Sequence, residues 1–263
     1  MTPTFERPPV VEVALGFSFA PRPDVGFRAL THLADHWATD FPNVSELAAI
    51  PSDPPQGATG PMLTFSTGAP PVRLWLQSAD NGLLLQIQND RLILNWRASD
   101  TTSPYPGYGA FLRGEYLKRW IELIDFFGDS GSPIPRPQSA EFTYVNHLPL
   151  ADGEQDHDVI SVLTEPTSTI PGDPAFVNFQ IVRHIVASDE QPFAGQVVLN
   201  GGPMYTPTGR SITLSVTTQV QLPQEYNGSR LIQALDSAHD ISATAFAAIT
   251  TETRHEAWGR VND

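Results

Sequence analysis

Hydrophobic and polar residues alternate along three consecutive stretches in the first half of the chain. The stretches are residues 73–78, Leu83–Gln88 and Arg91–Arg97, and a period of two is typical of strands whose two faces differ in burial. The pairs Asn81-Gly82 and Asn89-Asp90 separate them, and such pairs favour the tight turns of β-hairpins. The pattern therefore predicts a three-stranded antiparallel meander.

With two residues in each turn, the meander has a defined register. Ile87 then lies beside Leu76 and Leu92, and Gln77 pairs with Gln86 across the first hairpin. One face is apolar and is predicted to be core: Leu74, Leu76, Leu83, Leu85, Ile87, Leu92, Leu94 and Trp96. The opposite face carries Leu84 and Ile93 among polar and aromatic side chains: Arg73, Trp75, Gln77, Gln86, Gln88, Arg91, Asn95 and Arg97.

The rest of the chain is predicted to contain both strands and helices. Further strands are predicted at Val10–Phe19, 141–150, 175–186, 195–200 and 211–222, and helices at 24–41, 111–127 and 230–260, the last with a break near Asp240. The fold class predicted is α+β, an antiparallel sheet with helices packed on one face. Each half, 1–133 and 134–263, presents a strand, a connection, three antiparallel strands and a long helix. The two related halves form either two domains or one continuous domain.

Composition narrows the class of protein. The 263 residues include 15 Lys and Arg against 29 Asp and Glu, a net charge of −14, and no cysteine. The lack of cysteine excludes disulfides, thiolate metal ligands and cysteine nucleophiles, and the acidity disfavours nucleic acid as a partner. No apolar run reaches the roughly 18 residues that span a bilayer. We therefore expect a soluble, cytoplasmic protein without a membrane partner.

Two short motifs resemble known sites but have simpler explanations. The segment GDSG at 128–131 copies the nucleophile motif of serine proteases, yet it directly follows a predicted helix, which favours a helix-terminating loop. His32 and His36 have a spacing that suits two ligands of one metal. They lie opposite the apolar stripe of their helix, so we expect them to face solvent.

The remaining titratable candidates also favour structural roles. Glu252 and His255 match the Glu-x-x-His spacing of di-iron bundles, but those sites need two such motifs and four helices, so a surface helix is expected. An acidic loop around His157 is either a weak cation site or a solvated loop. His147 and His184 lie in predicted strands and are expected to be hydrogen-bonded structural residues. No catalytic residue, metal or cofactor is assigned.

The mixed face of the meander is the candidate binding surface. Arginine, tryptophan and side-chain amides are common on recognition surfaces, and the alternative is packing against the other half of the chain. The function predicted is a non-catalytic interaction or regulatory protein with a protein partner, and a homodimer is also open. The alternatives are a small-molecule-binding protein, or an enzyme with dispersed catalytic residues that include His147, His157 and His184.

Five segments together resemble a bacterial protein family of about 260 residues with a sporadic distribution. They are PPVVEVALGFSF, RLWLQSADNGLLLQIQNDRLILNWR, YPGY, EFTYVNHL and AHDISATAFAAITTETRHEAWG, and they extend from Pro8 to Gly259. The resemblance implies no established activity, cofactor or catalytic residue. A sporadic distribution is typical of accessory proteins in mobile or defence-related bacterial systems.

Overall fold

The computed structural model describes residues 2–22, 24–51, 72–99, 104–163, 177–206 and 209–261. The strands are β1 Thr4–Phe5, β2 Val10–Phe19, β3 Asn43–Ala48, β4 Val72–Gln77, β5 Leu83–Gln88, β6 Arg91–Arg97, β7 Pro137–Pro149, β8 Phe179–Ile185, β9 Gly195–Thr206, β10 Gly209–Gln221 and β11 Arg260–Val261. The helices are α1 Phe27–His36, α2 Arg113–Asp129, α3 Asp156–Val159, α4 Gly228–Ile249 and α5 Glu252–Ala257, and a short π-helix, Tyr108–Leu112, leads directly into α2.

Nine of the strands form one antiparallel sheet in the order β3-β4-β5-β6-β2-β7-β10-β9-β8, and β1 pairs with β11 separately. The first strands of the two halves, β2 and β7, pair at the centre, where Leu15 lies beside Phe142. The sheet therefore crosses the boundary at residues 133 and 134 without interruption. The predicted α+β class with an antiparallel sheet is confirmed.

The two halves share one topology. In each half the first strand pairs with the last strand, and a long helix follows that last strand. Over the described residues, the first half has two strands more than the sequence predicts, the two-residue strand β1 and the strand β3. The side chains of β3 are almost all exposed, because β3 lies at an edge of the sheet, and a strand exposed on both faces carries no apolar alternation.

The register predicted for the first hairpin is wrong by two residues. Leu76 pairs with Leu85, and Gln86 lies beside Trp75 rather than Gln77. The turn holds four residues instead of two, because the Ser78 N–H donates to the Leu83 carbonyl and the Asp80 carboxylate accepts from the Gly82 N–H at 2.9 Å. A shift of two keeps every side chain on its predicted face. The second hairpin has the predicted register, with Ile87 beside Leu92.

The main helices α1, α2 and α4 contribute to one core with the apolar face of the sheet. Phe17 of β2 contacts Tyr116 and Trp120 of α2, with ring centroids 5.2 Å apart in each case. Phe142 of β7 belongs to the same core, together with Leu235 of α4. The packing of helices on one face, which the sequence predicts, follows from this apolar surface.

The long C-terminal helix is not broken near Asp240. Helix α4 continues to Ile249, and the chain turns at Thr250, whose extended backbone starts the link to α5. The Asp240 carboxylate bonds the side chain of His239 at 2.9 Å. It therefore does not compete for backbone N–H groups, which is how aspartate weakens helices.

Candidate functional site

The structure buries much of the polar face that the sequence predicts as a binding surface. Gln86, Gln88, Arg91 and Asn95 are 6%, 2%, 7% and 4% exposed. Arg73, Trp75, Gln77 and Arg97 are half-buried. Binding of a partner at this face stays a prediction, and it now rests on the half-buried side chains.

A chain of side-chain hydrogen bonds occupies the centre of this face. The Gln86 carbonyl oxygen accepts from Arg73 Nη1 at 2.9 Å and from Trp75 Nε1 at 3.0 Å. Its amide donates to Asn95 Oδ1 at 2.6 Å, and the Asn95 amide donates to Glu12 at 2.6 Å. The buried amides thus have partners within the sheet, as buried polar groups require.

Two smaller groups complete the polar face. Trp75 lies between the guanidinium groups of Arg73 and Arg97, which stand 5.3 Å and 4.9 Å from its ring. Farther along the sheet, Asp90 accepts from Gln88 at 2.6 Å and pairs with Arg91 at 3.1 Å. Trp75 and its two arginines therefore form the only part of the described polar face that combines an aromatic ring with flanking cations.

The other sequence candidates lie apart from one another. His32 and His36 are exposed on α1, and Ser130 of the GDSG segment ends α2, donating to the Phe127 carbonyl at 2.9 Å. His184 is exposed on β8. His147 is half-buried, and its Nε2 has no hydrogen-bond partner among the described residues, so this nitrogen does not make the bond expected of a structural histidine.

The expected surface helix at Glu252 and His255 is only partly correct. Glu252 is exposed, but His255 is 1% exposed. Its Nε2 lies 2.8 Å from Thr250 Oγ1 and its Nδ1 lies 3.2 Å from Glu252 Oε2. His157 belongs to the short helix α3. Over the described residues, no group of three or more His, Asp or Glu side chains is placed to hold a metal ion.

A cavity that the sequence does not predict lies where the two halves meet. It has a volume of about 380 Å³ and is bounded by the central strands β2 and β7, the start of the π-helix, helix α4 and the N-terminal segment 3–8. Pairing of β1 with β11 holds that segment, and so does a hydrogen bond from the Glu6 N–H to the Gly259 carbonyl. The volume is in the range typical of small-ligand sites.

Six of the sixteen residues that line the cavity carry an aromatic ring. Tyr105 and Tyr144 meet at an interplanar angle of 80°, with their hydroxyls 3.4 Å apart. Tyr144 and His239 meet at 61°, and His239 stacks on Tyr108 with ring centroids 4.2 Å apart. Phe5 and Phe246 also line the cavity. The planes of Tyr105, Tyr144 and His239, which all line it, therefore differ in orientation.

Acidic groups dominate the charge around the cavity. Glu6 lines it, and Asp236 and Asp240 lie one helical turn apart on α4. Asp236 accepts from the Tyr108 hydroxyl at 2.6 Å and pairs with Arg113 at 3.2 Å. Asp240 is bonded to His239, as described above. Lysine and arginine do not occur among the residues that line the cavity.

Burial and hydrogen bonding shift the pKa values of the titratable groups in and beside the cavity. Burial raises the pKa of Tyr105 to about 12 and raises the pKa of Tyr144 well above its usual value. Burial and the hydrogen bond to Asp236 raise the pKa of Tyr108. Burial raises the pKa of Asp240, but hydrogen bonds from His239 and Thr2 and nearby positive charge together leave this pKa below its usual value. At neutral pH the phenols are therefore neutral and Asp240 is charged.

The sequence contained one signal for this site. Tyr105 and Tyr108 lie in YPGY, Tyr144 and Asn146 in EFTYVNHL, and His239 in AHDIS. These segments carry the resemblance described above, and the structure brings them together around the cavity. Periodicity alone did not single them out, because a tyrosine on the apolar face of a strand fits an ordinary core.

A second depression of about 510 Å³ lies between α4 and the segment around Gln191. It is open to solvent, and the residues that line it include no aromatic side chain. The cavity between the halves is therefore the better candidate site.

Comparison with known proteins adds no relative from which a role can be transferred. The chain matches no protein-family model, no curated protein and no solved structure. Across the part of the chain that the structure describes, no helix is long and apolar enough to cross a membrane. Function is consequently argued from the site alone.

Proposed function

We propose that this protein is a non-catalytic, small-molecule-binding protein whose ligand occupies the cavity between its two halves. The observation that supports the proposal is a preformed, aromatic-walled cavity of about 380 Å³ at the central strand pair. Ligand sites are concave and mostly apolar, with a few polar groups that orient the ligand. The hydroxyls of Tyr105 and Tyr144 and the amide of Asn146 are those polar groups here.

The position of the cavity also suits a regulatory role. Residues from both halves line it, Val10 and Tyr108 from the first and Tyr144 and His239 from the second. A ligand bound there contacts β2, β7 and α4 at once, and binding stabilises the arrangement that makes those contacts. We propose that ligand occupancy changes how firmly the N-terminal segment 3–8 is held.

Filling the cavity is expected to abolish ligand binding. Ala243 lines the cavity from α4 and is 8% exposed, so Ala243→Phe places a benzyl group in the ligand space. The assay is a thermal-shift screen of metabolites on the wild-type protein. A ligand at a hundredfold excess over its Kd contributes about 2.7 kcal/mol, which raises Tm by roughly 5 to 10 °C.

The matched control is Ala248→Phe, the same substitution at an exposed position of the same helix. It is expected to keep the ligand-induced shift that Ala243→Phe loses, while circular dichroism shows both variants folded. A ligand that stabilises wild type and Ala243→Phe equally contradicts binding in this cavity.

A second candidate function is protein binding through the half-buried arginines of the polar face. Trp75 beside Arg73 and Arg97 combines the residue types that dominate interface energetics. Arg97 already pairs with Glu12 at 3.3 Å, whereas the Arg73 guanidinium bonds the neutral amide of Gln86. The charge of Arg73 therefore favours an acidic partner. Such a partner is a second protein or, in a homodimer, another copy of this acidic chain. Charge alone does not choose between them.

Reversal of both charges, Arg73→Glu with Arg97→Glu, is expected to reduce recovery of a stoichiometric partner in a pull-down by tenfold or more. The reason is that like charges facing each other across an interface cost several kcal/mol. Arg183→Glu, at an exposed position of β8, is the control and is expected to retain the partner. Equal recovery with both variants, once thermal melts show them folded, argues against this surface.

A further inference from the structure

We infer that the cavity between the halves selects an organic cation, a protonated amine or a quaternary ammonium group joined to an apolar body. The inference rests on the proposed function and adds the chemical class of the ligand. Its basis is the combination of several aromatic rings, one carboxylate and the absence of lysine and arginine among the residues that line the cavity.

The ring geometry suits a cation. Tyr105, Tyr144 and His239 all line the cavity, and the plane of Tyr144 is inclined by 80° to Tyr105 and by 61° to His239. A ligand that fills the cavity therefore contacts more than one ring. The face of an aromatic ring is negative, and cations are attracted to it within about 6 Å. Sets of rings at steep angles are the usual site for methylated ammonium groups.

The charged groups in and beside the cavity also favour a cationic ligand. Glu6 is the carboxylate among the lining residues, and neither lysine nor arginine accompanies it. Arg113, the cation close to this region, is engaged by both oxygens of Asp236 at 3.2 Å. Glu6 is exposed, so water partly screens its charge, but it still attracts a cation and repels a ligand carboxylate or phosphate.

Hydrogen bonding also favours a donor on the ligand. Asn146 lines the cavity, and its Nδ2 is used on the Leu214 carbonyl at 3.2 Å, so the amide oxygen is the group that it can offer to a ligand. A protonated amine supplies the donor that this oxygen accepts, whereas a quaternary ammonium group depends on the ring contacts alone.

The test uses two probes of nearly equal shape, choline and 3,3-dimethyl-1-butanol, which differ in a quaternary nitrogen against a quaternary carbon. Their affinities for the full chain are measured by ligand-observed NMR titration. Choline is expected to bind roughly tenfold more tightly, the ratio that corresponds to a desolvated cation–π contact. Added salt is expected to weaken choline binding and to leave the alcohol unchanged.

Variants assign the effect to the cavity. Glu6→Gln is expected to weaken choline severalfold without affecting the alcohol, and Glu46→Gln, which removes the same charge from the exposed edge strand β3, is expected to change neither. Tyr144→Phe keeps the ring and is expected to retain the preference for choline. Tyr144→Leu removes the ring face and is expected to lose that preference.

The results that would overturn the cation inference differ from the result that would overturn the proposed function. Binding of the alcohol as tightly as choline overturns the cation inference, and so does binding of neither probe. Neither result affects the proposed function, which depends on whether Ala243→Phe abolishes binding of whatever ligand the metabolite screen finds. Choline binding that survives both Glu6→Gln and Ala243→Phe also overturns the inference, because the cation then lies elsewhere.

Discussion

Replacing Phe17 by alanine is expected to lower the free energy of unfolding by about 4 kcal/mol, the middle of the range for a buried Phe→Ala change. Phe17 is 1% exposed in the central strand β2, and it packs edge-on against Tyr116 and Trp120. Its removal leaves a cavity between sheet and helix, which two rigid rings cannot collapse to fill. Chemical denaturation followed by fluorescence measures the loss.

The same substitution at Phe27 is the control. Phe27 begins α1 and is 51% exposed, so Phe27→Ala is expected to change stability by no more than about 0.5 kcal/mol. Equal effects at the two positions would contradict the packing of α2 onto β2. That packing supports the π-helix that leads into α2, in which Tyr108 lines the cavity.

Replacing Arg119 by methionine is expected to cost about 3 kcal/mol, the lower end of the range for breaking a buried ion pair. Arg119 is 4% exposed, and it donates to Asp40 of the segment after α1 at 2.6 Å and to Glu122 at 3.0 Å. Glu122 in turn accepts from Trp37 Nε1 at 2.7 Å. The lower end applies because the carboxylates are partly exposed and water replaces part of the lost contact.

The effect of Arg119→Met is expected to depend on pH. Hydrogen bonding to Arg119 holds the pKa of Asp40 below its usual value. A carboxyl whose pKa is lowered by folding stabilises the protein above its unfolded pKa and ceases to do so as pH falls through its folded pKa. The difference between wild type and variant should therefore be largest at neutral pH and shrink below about pH 4.

Arg28→Met removes an exposed arginine from α1 and is the control for the loss of one positive charge. It is expected to have a small effect at every pH in the same denaturation series. If the wild type and Arg119→Met differ by the same amount at pH 3 and at pH 7, the carboxylate network is not what Arg119 stabilises.

The sequence predicted side-chain faces well because alternation along a strand is a local property. The apolar residues of the meander and of β10 lie in the core as expected, with Leu76, Leu85 and Leu214 fully buried. The first hairpin shows the limit of that signal. Alternation shows which face a residue occupies, but it does not distinguish registers that differ by two residues. The four-residue turn formed with Ser78 and Asp80 therefore shifts the pairing by two residues and leaves every side chain on its predicted face.

The binding-face prediction was limited for a different reason. Polar residues that alternate with a core face are expected at the surface, yet Gln86 and Asn95 are buried and bond each other at 2.6 Å. A sequence states which groups can donate or accept, but not whether their partners are water or each other. That choice depends on what packs above the strand, as Ile50 shows by bonding Gln88 through its backbone.

The amino-acid sequence by itself determined the α+β class, the antiparallel meander and the apolar face on which the helices pack, because these follow from residue periods of two and 3.6 within short segments. Only the tertiary structure decided that β2 and β7 join the halves into one sheet and that segments around residues 5, 105, 144 and 239 enclose a cavity. These segments are far apart along the chain, and their side chains show no shared period. The pairing of the central strands and the packing of α4 across them bring these segments together. Both depend on contacts across the whole fold, and no single segment determines them.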